Sequence, residues 1–142
     1  MKFLLDTDHI TFLQQQSGSE FATLCNRMAR HSPADFAYSL VSFHEQVLGV
    51  HGYINRARTT ADVAHGYSML GRLHRDFASV VVLPFDAAAD RTFDGLIARR
   101  VRVGTMDLRI ASIALSRGLT VLTRNLGDFR RVPGLMAEDW TV

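Results

Sequence analysis

The sequence predicts an α/β protein: a three-layer α/β/α sandwich around a short, mainly parallel central sheet of four or five strands. Three observations carry that prediction. The strand-like runs are short, apolar and non-alternating, the pattern of strands buried on both faces. They alternate with longer amphipathic stretches, as in a parallel sheet with crossover helices. No repeats, low-complexity tracts or Pro/Gly-rich linkers interrupt the 142 residues, so residues 1–142 read as one domain.

Taken in order, Lys2–Asp6 reads as a short buried strand and Thr7–Gln15 as a helix that fades at Ser17-Gly18. Ser19–His31 is a second amphipathic helix, ended near Pro33. Phe36–Val41 is rich in aromatic and β-branched residues and reads as a strand. Ser42 opens a helix to about Arg56, with Ser42-x-x-Glu45 as a capping box, and Thr59 or Thr60 caps another to about Ala78. Val80–Leu83 is a strand stopped by Pro84, and Asp86 caps an Ala-rich helix through about Val101. A helix from Thr105 or Met106 runs to Arg117, with Gly118 as its terminator. Leu119–Thr123 is a further strand, a loop carries Asn125 and Asp128, and Leu135–Ala137 is a final edge strand. Trp140 is placed to pin the tail to the core.

Composition narrows the function classes. The single thiol, Cys25, can make neither an internal disulfide nor a thiolate zinc cage, which suits a reducing compartment. Phe3-Leu4-Leu5 is cut short by Asp6, whereas a secretory leader needs ~7–15 uninterrupted apolar residues. No window approaches the ~20 apolar residues of a membrane span. A cytoplasmic protein, complete from Met1 and without a membrane partner, is expected. The net charge is only +2, but residues 91–131 hold nine arginines against three acids, a local +6 that leaves −4 for the remainder. Fifteen of the 16 basic residues are arginine. Guanidinium forks match phosphate oxygens, so this stretch points toward nucleic acid, although a solvated basic face has the same composition.

Sheets of this kind bind ligands at the carboxyl ends of their strands, which directs attention to the residues after Leu5 and Thr123. Asp6 directly follows the first strand and could serve there or simply cap the next helix. Asp8 reads first as an acid meeting the helix dipole. Glu45 belongs to the capping box, yet also follows a strand closely. Asp107 lies in the first turn of its helix, where the dipole alone would stabilise it. Asp128 is a loop acid whose plain reading is an Asx-turn.

Each signal is weak alone; their order is more specific. Leu4-Leu5-Asp6-Thr7-Asp8, Ser42-x-x-Glu45, Gly104-x-x-Asp107-Leu108-x-Ile110-Ala111, Thr123-x-Asn125-x-x-Asp128-Phe129 and the closing Val132-Pro133-Gly134-Leu135…Glu138-Asp139-Trp140 succeed one another along nearly the whole chain. In this the sequence resembles the PIN-domain nucleases, in particular the VapC-type toxins of bacterial toxin–antitoxin pairs. The resemblance implies a PIN-like fold and hydrolysis of RNA phosphodiester bonds by Asp6, Glu45, Asp107 and Asp128. The fourth polar position falls on Asn125 or Asp128, and Asp8 stands where many relatives carry Asn.

Clustered carboxylates call for a cation. Two of them about 4 Å apart repel by about 4 kcal/mol at an effective dielectric near 20, so several stay ionised together only around a metal or with a proton held. All-oxygen donors select Mg²⁺ or Mn²⁺. Asp6 and Asp107 are the expected direct ligands. Glu45 would bind the metal or orient the nucleophile, and Asp128 or Asn125 would fix a second ion or its waters. Thr7 and Thr123 are supporting hydroxyls, and Arg109 and Arg124 are the arginines nearest in sequence to the acids for RNA phosphates. The resemblance further implies a small antitoxin partner and a homodimer.

Two other readings compete. An Asp-nucleophile phosphatase also opens on Asp-x-Asp after a strand, but such enzymes usually carry Thr four residues after the nucleophile and a balancing Lys. Here Ile10 fills that position, and the only lysine is Lys2, before the strand. The same lack of a lysine disfavours a phospho-receiver domain. A catalytically idle PIN-like module that binds RNA or a partner is the second alternative.

Overall fold

The computed structural model describes residues 1–142. Five strands form one sheet: β1 (Phe3–Leu5), β2 (Phe36–Ser39), β3 (Val82–Leu83), β4 (Thr120–Leu122) and β5 (Ala137–Glu138). Their order is β3-β2-β1-β4-β5 and every neighbouring pair is parallel. Parallel neighbours cannot be joined by tight turns. The crossovers are α1 (Thr7–Gln15), α2 (Ser19–Met28), α3 (Leu40–Arg56), α4 (Thr60–Ala78), α5 (Ala87–Ala98), α6 (Thr105–Arg117) and the single turn α7 (Leu126–Phe129).

The pleat divides the core in two. Leu4 and Val121 join the cluster built with Ala89 and Leu96 of α5, Leu108–Ala114 of α6 and Phe129 of α7. Phe3, Leu5 and Leu122 face the other way, toward Ile10, Leu24, Val50, Leu73 and Phe77 from the first four helices. Helices thus cover both faces, which is why β1 is apolar at every position and the polar residues of the other strands, Ser39, Thr120 and Glu138, fall at strand ends. A fully buried leucine here contributes about 1.5–3 kcal/mol. Trp140 packs into the second cluster with its ring 4.6 Å from that of Phe3, holding the C-terminal tail down.

Several boundaries differ from the sequence expectation, each for a physical reason. The strands are shorter than the apolar runs that announce them; Val80 and Val81 are exposed and only Val82–Leu83 pair. The last strand is Ala137–Glu138, displaced from the expected Leu135–Ala137. A 3₁₀ turn at Pro33–Asp35 follows α2, which stops at Met28. Arg100 takes a left-handed conformation (φ 56°) just beyond α5, so that helix ends at Ala98.

The largest correction concerns α3. Ser39, not Ser42, is its N-cap, accepting a hydrogen bond from the Ser42 N–H at 3.0 Å. The Ser42–Glu45 capping box does not form, and both side chains are released for other partners. The expected loop after β4 likewise contains α7, with Asn125 at its N-cap position and Asp128 in its turn. No helix is long and apolar enough to cross a membrane.

Candidate active site

The strand order reverses between β1 and β4, and at such a switch point the chain leaves a crevice beyond the carboxyl ends of the two strands. Leu5 pairs with Leu122, so the next residues, Asp6 and Thr123, sit side by side on that rim. Asp6 is 6% exposed and nonetheless fully bonded. Its Oδ1 accepts from the Thr7 N–H at 2.7 Å as the α1 cap, and its Oδ2 accepts from the Thr123 hydroxyl at 2.8 Å.

From Thr123 a continuous hydrogen-bonded path leads to the other acids. The Thr123 hydroxyl accepts from the Asn125 N–H at 2.9 Å. The Asn125 side-chain Nδ2 donates to Asp107 Oδ2 at 3.1 Å and to Asp128 Oδ2 at 3.0 Å. One amide group therefore holds two carboxylates that would otherwise repel. Asn125 and Asp128, the two candidates for the fourth polar position, thus lie side by side, one donating and the other accepting within the same contact.

On the opposite side, the Thr7 hydroxyl lies 2.9 Å from Ser42 Oγ and 3.2 Å from Glu45 Oε1, its single proton shared between them. Loss of the capping box is what frees Ser42 and Glu45 for this role. Asp8 does more than meet the dipole. Its Oδ2 accepts from the Arg124 N–H at 2.9 Å and faces the Thr123 hydroxyl at 3.4 Å, tying α1 to the end of β4.

The acids sense one another. Burial, reinforced by Asp8 and Asp107, pushes Asp6 up to about 7 against the opposing bonds from Thr123 and Thr7. Burial first, then Asp107 and Asp8, raises Glu45. Burial, then Asp128 and Asp8, raises Asp107. No three of the carboxylates close on one point tightly enough to chelate an ion by themselves. The donors gathered here are carboxylate, amide and hydroxyl oxygens, a set that suits Mg²⁺ or Mn²⁺ rather than zinc. A hard ion of this kind keeps several waters and uses one or two direct carboxylates, the rest of the site acting through those waters.

The arginines nearest the acids in sequence are not aimed at them. Arg109 Nη1 rests 3.8 Å from the Met106 sulfur, and the Arg124 guanidinium sits over the Phe12 ring and 3.9 Å from Asp139. The arginine that reaches the cluster is Arg131, 3.4 Å from Asp128 Oδ1. Arg131 counted only as one of the arginines of residues 91–131 and Ser42 only as a cap, so sequence reasoning missed their contacts with the site, and it missed the buried His9 altogether. His9 Nε2 accepts from the Trp140 N–H at 3.2 Å, which leaves Nδ1 to donate to Asp8 Oδ1 at 2.7 Å. Only the i,i+3 spacing of Asp128 and Arg131 was legible beforehand.

No family model matches the chain. A "tRNA(fMet)-specific endonuclease VapC" of Salmonella typhimurium is 30% identical over 144 aligned positions, covering 99% of this chain and 98% of that protein. The chain belongs to the VapC family of PIN-domain toxins. A VapC of the same description from Shigella flexneri is 49% identical over 65 residues, 42% of this chain and 48% of that one. Among solved structures, a DNA-bound VapBC from Salmonella typhimurium matches with a TM-score of 0.75 at 26% identity, over 99% of this chain and 98% of that one. VapBC-1 of nontypeable Haemophilus influenzae shares the fold over the full length of both chains, with a TM-score of 0.76 at 22% identity. VapC membership sets aside the phosphatase and phospho-receiver readings.

Proposed function

We propose that this VapC-family chain is a divalent-metal-dependent endoribonuclease, the toxin of a toxin–antitoxin pair, with residues 1–142 forming one nuclease domain. One observation carries the reading: the unbroken path Asp6–Thr123–Asn125–Asp107/Asp128 at the switch point of the sheet. The relatives whose names describe endonucleases acting on tRNA(fMet) support RNA as the substrate class.

Asp6 and Asp107 would hold a Mg²⁺ or Mn²⁺ ion, with Glu45 and Asp128 acting directly or through its waters. Such an ion, when bound, activates water and neutralises charge on phosphate. The chain's own residues supply the rest. Thr123 and the Thr7 N–H fix the Asp6 carboxylate, while the Asn125 amide sets the gap between Asp107 and Asp128. Glu45, held by Thr7 and raised by its surroundings, can take a proton from an attacking water. Arg131 at the rim can contact an RNA phosphate, and Arg109 and Arg124 could do so only by leaving Met106 and Asp139. VapBC complexes among the structural relatives support a small antitoxin partner, and we extend the proposal to a homodimer working in the cytoplasm.

The test is cleavage of a mixed RNA substrate with Mg²⁺ or Mn²⁺. Wild-type protein should shorten it, EDTA should stop it, and Asp6→Asn or Asp107→Asn should abolish it with the circular dichroism spectrum retained. RNA binding without any shortening would instead establish the idle-module reading.

A further inference from the structure

Beside the acids, a cavity of about 360 Å³ opens between α1, α3 and α4. Its proximity follows from the helices. Thr11, which lines it, donates its hydroxyl to the Thr7 carbonyl at 2.9 Å, and Thr7 reaches Glu45. The cavity therefore begins one helical turn, about 5.4 Å, from the acidic site.

Its polar wall is unusual. Gln14 Nε2 donates to Gln46 Oε1 at 2.9 Å, and Gln46 Nε2 donates back to Gln14 Oε1 at 2.8 Å. Two amides closed on each other form a planar donor–acceptor pair. A planar ligand with a donor next to an acceptor can take the place of one amide in this pair while the displaced, half-buried glutamine turns to water, and the edge of a nucleobase has this pattern. Glutamine matches N6 and N7 of adenine in this bidentate way.

The remaining lining suits the rest of a nucleotide. Val50 and Leu73 are buried apolar residues against which a base can lie. Arg72 at the mouth is exposed and makes no ion pair, so its guanidinium can meet a phosphate on the side away from Asp76, the one acid of the lining. Gly49 borders the cavity, and a Cβ there would meet nothing within 4 Å.

We infer that this cavity receives an unstacked nucleobase of the RNA strand next to the scissile position, read by Gln14 and Gln46, with adenine preferred. The inference rests on the ribonuclease reading for its biological meaning. Its test does not, because base binding needs neither metal nor cleavage. The full chain, free of metal, is titrated with each of the four nucleoside 5′-monophosphates while the glutamine side-chain amide signals are followed by NMR.

Adenosine monophosphate should shift the Gln14 and Gln46 amides, and the other three should do so more weakly. Gln46→Leu should weaken the binding about tenfold, the worth of roughly one bidentate amide–base pair. Gly49→Leu, which fills the cavity from an open position, should abolish the shifts while the amides remain. In cut-site mapping on a randomised RNA, both variants should lose base preference beside the cleaved bond. The inference is overturned if no nucleotide moves these amides, if Gly49→Leu binds nucleotide as wild type does, or if only a blocked apolar peptide fills the groove. Absence of RNA cleavage by the wild type would count against the proposed function and leave the nucleotide titration to decide the pocket.

Discussion

At the scale of single residues, the site is governed by a few groups that belong to two arrangements at once. Asp6 both caps α1 and faces the acids. Its carboxyl ionises near 3.8 in an open chain and near 7 in the fold. Between those values the folded chain holds a proton that the unfolded chain has released, so Asp6 makes the metal-free protein less stable as pH rises. The loss over that window is bounded at about 4 kcal/mol. Asn caps helices as well as Asp does, and the Thr123 hydroxyl has a spare lone pair to accept from the amide that replaces the carboxylate. Asp6→Asn should therefore raise the melting temperature of the metal-free protein at neutral pH and flatten its fall between about pH 4 and 7, as read by thermal denaturation. Asn125→Leu should have the opposite character: with the bridging amide gone, Asp107 and Asp128 repel, and RNA cleavage should fall by at least about tenfold while the fold persists.

At the scale of elements, the caps decide which side chains are free for chemistry. Ser39 starts α3 and leaves Ser42 inside its first turn, available to Thr7. Ser39→Ala should cost about 1 kcal/mol of stability in urea unfolding, typical of a lost cap. Because the new end of the helix is free to move, Glu45 should lose its bond to Thr7 and cleavage should weaken. This element also marks the limit of sequence reading. Ser39 and Ser42 are equally good caps locally, and the choice is made by tertiary packing, which buries Val41 against the sheet side shared with α6. The strands and most helices were legible because their apolar runs and caps agree. Asp6 and Asp107 stood out as acids at element ends, and Asp128 as an acid in the loop after a strand. Asn125 as a bridge was not legible, because a hydrogen bond across 18 residues of sequence leaves no local trace. Arg109 and Arg124 were picked for nearness in sequence, and packing against Met106 and over Phe12 turned them elsewhere.

At the scale of the whole molecule, a sheet whose order reverses between β1 and β4 gathers side chains from positions 6, 45, 107 and 128 onto one rim. Buried acids held near one another destabilise the empty protein, and an ion that neutralises them is linked to folding. Mn²⁺ in excess should raise the melting temperature, EDTA should reverse the rise, and affinity should climb with pH until Asp6 has lost its proton near 7. The most direct measurement is paramagnetic broadening by substoichiometric Mn²⁺ of the backbone amide signals in wild-type, Asp6→Asn and Asp107→Asn protein. One ion shared by the acids should broaden the neighbourhoods of Asp6, Glu45, Asp107 and Asn125 together, and either substitution should remove the effect from all four. Broadening elsewhere on the surface, or loss at Asp6 with Asp107 still broadened, would contradict a common metal site.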